Sequence, residues 1–267
     1  MDLGYEGSTA AVTGGTKGMG RAICDCLADE GAKVAVLARR RDELDETVAA
    51  LLERGAPDAV GISTDVGDVD QISAAFAAVE ARWGSLNVLV NTVGPNAGAF
   101  ETLTDADWDA TFKLGTMSAV RCTRAALPLL RAAEWGRIVN IAAHSIQRQS
   151  PNLTAYTASK AALASLSKNL AKTLGPEGIL VNTVSPGSIV TDSFSTALRP
   201  LFEADGLDPT DPHDVMTWIE RNYHHPADIR RAGLPDEIAT ITVYLASRRN
   251  GYVTGANVNA DGGSDFV

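Results

Sequence analysis

The feature that most constrains this chain is a short apolar run, Thr9-Ala10-Ala11-Val12-Thr13, that opens into Gly14-Gly15-Thr16-Lys17-Gly18-Met19-Gly20. A helix-forming segment follows from Arg21 to Glu30, with Gly31 where a helix end favours a left-handed residue. Lys33 to Ala38 is a second β-prone run. Strand, glycine-rich turn, helix and strand make one right-handed βαβ unit, so the sheet that starts here is parallel. Glycines in this setting let a ligand approach the backbone. The helix N-terminus behind them offers unpaired N–H groups and the positive end of its dipole, which suits a pyrophosphate. The cradle residues are Gly14, Thr16, Lys17, Gly18, Met19 and Gly20.

The end of the second strand faces the sugar beside such a pyrophosphate. A carboxylate there would hold the ribose 2′-hydroxyl of NAD. This chain has Ala38 at that place, followed by Arg39 and Arg40, with Lys17 in the glycine turn as a further cation. A missing carboxylate beside guanidinium groups suits a 2′-phosphate, so the expected cofactor is NADP(H).

The alternation then continues. Ala59 to Ser63 reads as a third strand leading to Asp65-Val66, and Ile72, Ala75, Phe76, Val79 and Trp83 follow helical spacing. Val88-Leu89-Val90 is a fourth strand that opens into Asn91-Thr92-Val93-Gly94-Pro95. Gly136 to Ile141, Leu180 to Val184 and Asn257 to Ala260 complete the strands. No shift in composition interrupts the pattern, which predicts a parallel sheet with helices on both faces in one domain covering 1–267.

Chemistry enters at Tyr156-Thr157-Ala158-Ser159-Lys160. On a helix Tyr156 and Lys160 lie one turn apart on one face. A cation beside a phenol lowers its pKa, so the pair is expected to exchange a proton with a carbonyl or alcohol oxygen. Composition narrows the alternatives. A formal charge of -10 without a basic stripe argues against nucleic acid as partner. No apolar run reaches bilayer length, and the N-terminal segment lacks a signal pattern, which points to the cytoplasm. Cys24, Cys26 and Cys122 lack metal or disulfide spacing and read as core or near-core residues. His213, His224 and His225 have no helical spacing or thiolate neighbours, so no metal site is expected.

Four motifs in order give the chain a plain resemblance to the short-chain dehydrogenase/reductase family over its whole length. They are Thr13-Gly14 through Gly18 and Gly20, Tyr156 with Lys160, Pro186-Gly187 after a strand, and Asp261-Gly262-Gly263. The resemblance implies a Rossmann-like, doubly wound α/β/α fold, a nicotinamide cofactor and a homo-oligomer, dimer or tetramer. It also implies that Asp65, with Val66 beside it, meets the adenine and that the turn of Asn91 and Gly94 supports the cofactor cleft. Lys160 would bind the nicotinamide ribose, Ile189 the carboxamide and Thr191 the phosphates. Two positions depart from the family pattern. Gly115 stands in place of an asparagine that organises a relay water, and Ala143 in place of the catalytic serine. Ser145, two residues on, would reach the same side as Ala143 if the backbone is extended, with His144 pointing away.

From Asp192 to Arg231 the pattern breaks, and Phe194, Leu198, Phe202, Met216, Trp218 and Tyr223 are scattered among acids and prolines. This segment is expected to be a substrate lid at about 192–231, with Met216 and Trp218 over the cleft, favouring a substrate with hydrophobic bulk. The expected activity is NADP(H)-dependent hydride transfer to or from a ketone or secondary alcohol, a 3-oxoacyl thioester among the candidates. Tyr156, Lys160 and Ser145 would be the catalytic residues. Ala143 and Gly115 motivate the alternative, an NADP(H)-binding regulatory or sensor protein with weak or no turnover.

Overall fold

The computed structural model describes residues 2–95, 97–224 and 226–264. Its frame is a sheet of parallel strands, β1 (Thr9–Thr13), β2 (Lys33–Ala38), β3 (Ala59–Ser63), β4 (Val88–Asn91), β5 (Gly136–Ile141), β6 (Ile179–Pro186) and β7 (Asn257–Ala260). The spatial order is β3-β2-β1-β4-β5-β6-β7. The chain winds outward from β1 to β3, then returns to pair β4 with the other side of β1. That reversal opens a crevice at the carboxyl ends of β1 and β4, where doubly wound sheets take their ligands. Register brings Thr13 opposite Asn91, and Asn91 opposite Asn140, so these polar residues stand level.

Helices cover both faces: α1 (Gly18–Asp29), α2 (Arg41–Glu53), α3 (Val69–Trp83), α4 (Asp105–Phe112), α5 (Ser118–Ala132), α6 (Thr154–Leu174), α7 (Asp192–Ala204), α8 (Pro212–Tyr223) and α9 (Pro235–Ala246). The side chains of the strands alternate between two cores. Val12, Val34, Val36, Val88 and Val90 pack with Ile23, Leu27 and Val243 on one face. Ala11, Leu37, Leu89, Ile138 and Val181 pack with Phe76, Val79, Leu130 and Leu174 on the other. Central strands buried on both faces read as continuous apolar runs, which is why their limits are legible. Each fully buried Leu or Ile removes enough apolar surface to stabilise the fold by about 1.5–3 kcal/mol. Among the described residues no helix is long and apolar enough to cross a membrane.

A third core stands apart from the sheet. Phe202, Val215, Met216, Trp218 and Ile219 are buried together, with Phe194 and Leu198 packed against them. Phe202 and Trp218 stack at 4.9 Å between ring centroids. The α7–α8 segment therefore holds itself together. Met216 and Trp218, expected over the cleft, are instead the interior of this small unit. Two helices need a shared apolar seam before they can cover anything else, and these are the large apolar residues available to make it.

Candidate active site

The glycine turn fits an anion. α1 starts at Gly18 with Lys17 as N-cap and no side-chain cap, whereas α3 is capped by the Asp68 carboxylate. The first-turn N–H groups of α1 are thus left for a ligand. The turn is also too tight for side chains. A Cβ on Gly20 would meet the Gly14 carbonyl oxygen at 2.2 Å, and Gly14 itself has φ +68°. Thr13 and Thr92 tie this turn to the β4 turn: Thr92 N–H donates to Thr13 Oγ1 at 3.1 Å, and Thr92 Oγ1 donates to the Thr13 carbonyl. The residues present fit a dinucleotide's pyrophosphate.

Tyr156 and Lys160 converge on the β4 turn. A Cβ on Gly94 would lie 3.9 Å from Lys160 Nζ and 4.0 Å from Tyr156 Cε2. The pair thus projects from α6 to the topological switch point. Lys160 is 2% exposed, and its amine donates to the carbonyls of Ile141 at 2.7 Å and Val93 at 3.4 Å. Burial draws its pKa down to about 8. Burial also pushes the Tyr156 phenol up to about 12. This corrects the expectation that the ammonium lowers the phenol. Lys160 gives its protons to backbone carbonyls, and desolvation of the phenolate dominates. The phenol is therefore held as an acid.

A cleft of about 310 Å³ opens beside the phenol. Its lining brings together Met19, Ala143, His144, Ser145, Tyr156, Pro186, Gly187, Ile189, Thr191 and Phe194 from five parts of the chain. Thr16, Lys17, Gly18 and Thr191 line an adjoining space of about 470 Å³. Thr191 caps α7 by accepting from Phe194 N–H at 3.2 Å, and its Cγ2 would lie 3.3 Å from a Cβ on Gly18. Gly187 leaves no room for a side chain, because a Cβ would stand 2.7 Å from Asp261 Cα. Ile189 bridges to Gly233 and is buried. Arg39, Arg40, Asp65 and Val66 line neither space and stand at the ends of β2 and β3. Asp65 Oδ1 accepts from Gly67 N–H at 2.8 Å, shaping the turn before α3, and Val66 is buried.

The backbone after β5 is not extended as expected. Ala143 is extended, but His144–Ile146 is a 3-10 turn. Ser145 is 2% exposed, and its oxygen accepts from Thr157 Oγ1 at 3.0 Å, which leaves its own proton to donate. His144 does not point away: it lines the cleft, with Nδ1 3.1 Å from the Pro186 carbonyl. A tight turn replaces the alternation of a strand with a threefold spread, so both side chains reach the cleft wall.

Against α6 at Ser159, residues Lys113–Met117 form a π turn between α4 and α5 with Gly115 at its centre. A Cβ on Gly115 would lie 2.4 Å from Ser159 Oγ, so Ser159 occupies the space a side chain would need. Thr116 Oγ1 donates to the Ser159 carbonyl at 2.8 Å and pins the turn to α6. Sequence reasoning missed Asn140. Asn91 Nδ2 donates to Asn140 Oδ1 at 2.8 Å, and Asn140 Nδ2 donates to Ser167 Oγ at 2.8 Å. Its signal was an amide inside a fully buried apolar strand, a place where polar residues are depleted. Elsewhere, His213 Nδ1 lies 3.3 Å from the Arg230 carbonyl, His224 closes α8 at φ +56°, and His225 falls outside the described residues. Cys24 and Cys122 are buried and Cys26 half-buried, and burial raises all three thiols.

Residues 14–265 match the family model described as Enoyl-(Acyl carrier protein) reductase. The chain is 34% identical over 259 residues to acetoacetyl-CoA reductase of Cupriavidus necator, covering 95% of this chain and 96% of that one. The chain belongs to the short-chain dehydrogenase/reductase family. A second relative in this family, the short-chain reductase protein NovJ of Streptomyces niveus, is 33% identical over 96% of this chain and 93% of its own length. The crystal structure of L-sorbose reductase from Gluconobacter frateurii, complexed with NADPH and L-sorbose, is similar with a TM-score of 0.92 and 29% identity, covering 100% of both chains. As a short-chain dehydrogenase/reductase the chain is an oxidoreductase with a nicotinamide cofactor and a small-molecule substrate, built on the Rossmann-like α/β fold described above.

Proposed function

We propose that this chain reduces a ketone on a small molecule with NADPH, and that Tyr156 protonates the carbonyl oxygen. The observation that carries the reading is the convergence of Tyr156 and Lys160 on Gly94 at the switch point, beside the cleft. Bound NADPH would supply the hydride to the carbonyl carbon. Tyr156 OH gives its proton to the oxygen, so a secondary alcohol and the oxidised cofactor leave. Lys160 holds positive charge behind the phenol and meets the nicotinamide ribose. Ser145, whose oxygen already accepts from Thr157, donates the second hydrogen bond to the substrate oxygen in place of Ala143. The cradle of Gly14, Thr16, Lys17, Gly18, Met19 and Gly20 takes the pyrophosphate, and Ile189 and Thr191 meet the carboxamide and phosphates. Asp65 and Val66 receive the adenine, Asn91 and Gly94 floor the cleft, and Arg39 and Arg40 face the 2′-phosphate.

The whole chain works as one catalytic unit in the cytoplasm, and its α7–α8 segment is the lid. The expected preference for hydrophobic bulk moves from Met216 and Trp218 to Met19, Leu153, Ile189 and Phe194, which line the cleft. A short 3-oxoacyl thioester or a comparable ketone fits that lining. The exposed face of α6, including Ala161 and Ser165, carries small side chains that let a second copy pack closely against it. A regulatory cofactor-binding protein would need no acid phenol facing the cleft, and no relative named above favours that role.

The test is NADPH consumption against a panel of ketones and 3-oxoacyl thioesters. Tyr156→Phe is expected to lower turnover by about 10²–10⁴-fold while leaving NADPH affinity unchanged. Turnover that survives the change would remove Tyr156 from the mechanism.

A further inference from the structure

Two of the cations expected to receive a 2′-phosphate are already engaged. Lys17 Nζ lies 2.8 Å from Glu43 Oε1, and the Arg40 guanidinium contacts the same carboxylate. Thr16 Oγ1 donates to Glu43 Oε2 at 3.1 Å. The Glu43 side chain is only 16% exposed, so its carboxylate sits among these donors and not out in solvent. Its backbone is fixed as well. Glu43 lies in the first turn of α2, where the helix dipole favours an anion, and its carbonyl accepts from Thr47 Oγ1 at 2.7 Å. Arg39 is exposed and takes part in no ion pair among the described residues.

We propose that Glu43 is an internal stand-in for the 2′-phosphate, holding Lys17 and Arg40 until the cofactor displaces it, and that it thereby sets how strongly this chain distinguishes NADP(H) from NAD(H). The inference rests on the NADP(H) reading above. A carboxylate and a phosphate ask for the same donors, and both cannot sit between one lysine and one arginine without repulsion. Arg39 is the cation left to meet the incoming phosphate. Lys17 and Arg40 then exchange one anion for another, so NADP(H) gains only the difference between two sets of contacts. Its apparent affinity is reduced by the share of molecules in which Glu43 still occupies the site. NAD(H), which carries a hydroxyl in place of the 2′-phosphate, draws on Lys17 and Thr16 only through the pyrophosphate cradle and makes no use of Arg40, so it gains far less from freeing them.

Removing the competitor should tighten one cofactor and not the other. Calorimetric titration with NADPH and NADH, on the wild type and on Glu43→Gln and Glu43→Ala, reads this directly without turnover. Both variants are expected to bind NADPH about three- to tenfold more tightly, the worth of two partly exposed ion pairs, with NADH affinity held within about twofold. Thermal melting without ligand checks that the variants are folded. A wild type with no preference for NADPH would refute the cofactor reading itself. A wild type that prefers NADPH, with both folded variants binding it no more tightly, would overturn the role of Glu43 and leave that reading intact.

Discussion

Lys160 carries the most consequential charge in the molecule, and its environment fixes how that charge behaves. It is buried, its amine donates to the Val93 and Ile141 carbonyls, and desolvation draws it down to about 8. The phenol beside it stays protonated up to about 12. For ketone reduction the competent form has a neutral phenol and a charged amine. Below about 8 both are in place; above it the amine loses its proton while the phenol is still an acid. The profile of kcat/KM for reduction should therefore be level up to about pH 8 and then fall about tenfold per pH unit. A level profile continuing well past that point would show that the amine is not the titrating group. The two family positions lost here were legible as losses, but their surroundings were not. Gly115 looked like a missing side chain, yet Ser159 fills that volume from the facing helix. Ser145 depended on a backbone shape that a single sequence does not disclose, and a 3-10 turn took the place of the strand.

The strands were the most legible elements, because a parallel strand buried on both faces has little choice of composition. The run limits read for β1, β2, β3, β5 and β7 match the observed ones. What one sequence could not show is which apolar residues of 192–231 face the cleft and which face each other. Their scattered positions in the sequence do not separate the two, and only the packing of α7 on α8 assigns Phe194 to the cleft and Trp218 to the interior. The separate core makes the α7–α8 segment a local folding unit. Trp218→Ala would hollow it at a local cost of about 3–5 kcal/mol. The expected result is a raised KM for the ketone and faster proteolysis within 192–231, with NADPH affinity within about twofold of wild type. Loss of NADPH binding along with the lid would show that the two cores are not independent.

At the scale of the molecule, the sheet delivers its chemistry to one edge. Thr13 and Asn91 end their strands level with Asn140, one residue before the end of β5, and α6 brings Tyr156 and Lys160 to the same edge. The opposite face of α6 carries exposed Ala161, Ser165 and Asn169, so the proposed pairing of two copies through it would leave the cleft open. Light scattering after size exclusion should give a dimer or a tetramer. Replacing Ala161 and Ser165 with arginine should yield a folded, cofactor-binding monomer. A wild type that is monomeric at micromolar concentration would refute pairing through this face. The amide chain from Asn91 through Asn140 to Ser167 has a quieter effect. It ties β4 and β5 to α6, the helix that carries Tyr156 and Lys160, through buried side chains. On the proposed mechanism the proton donor would then be aligned before anything arrives, and encounter with a ketone would not spend its interaction energy on assembling the site.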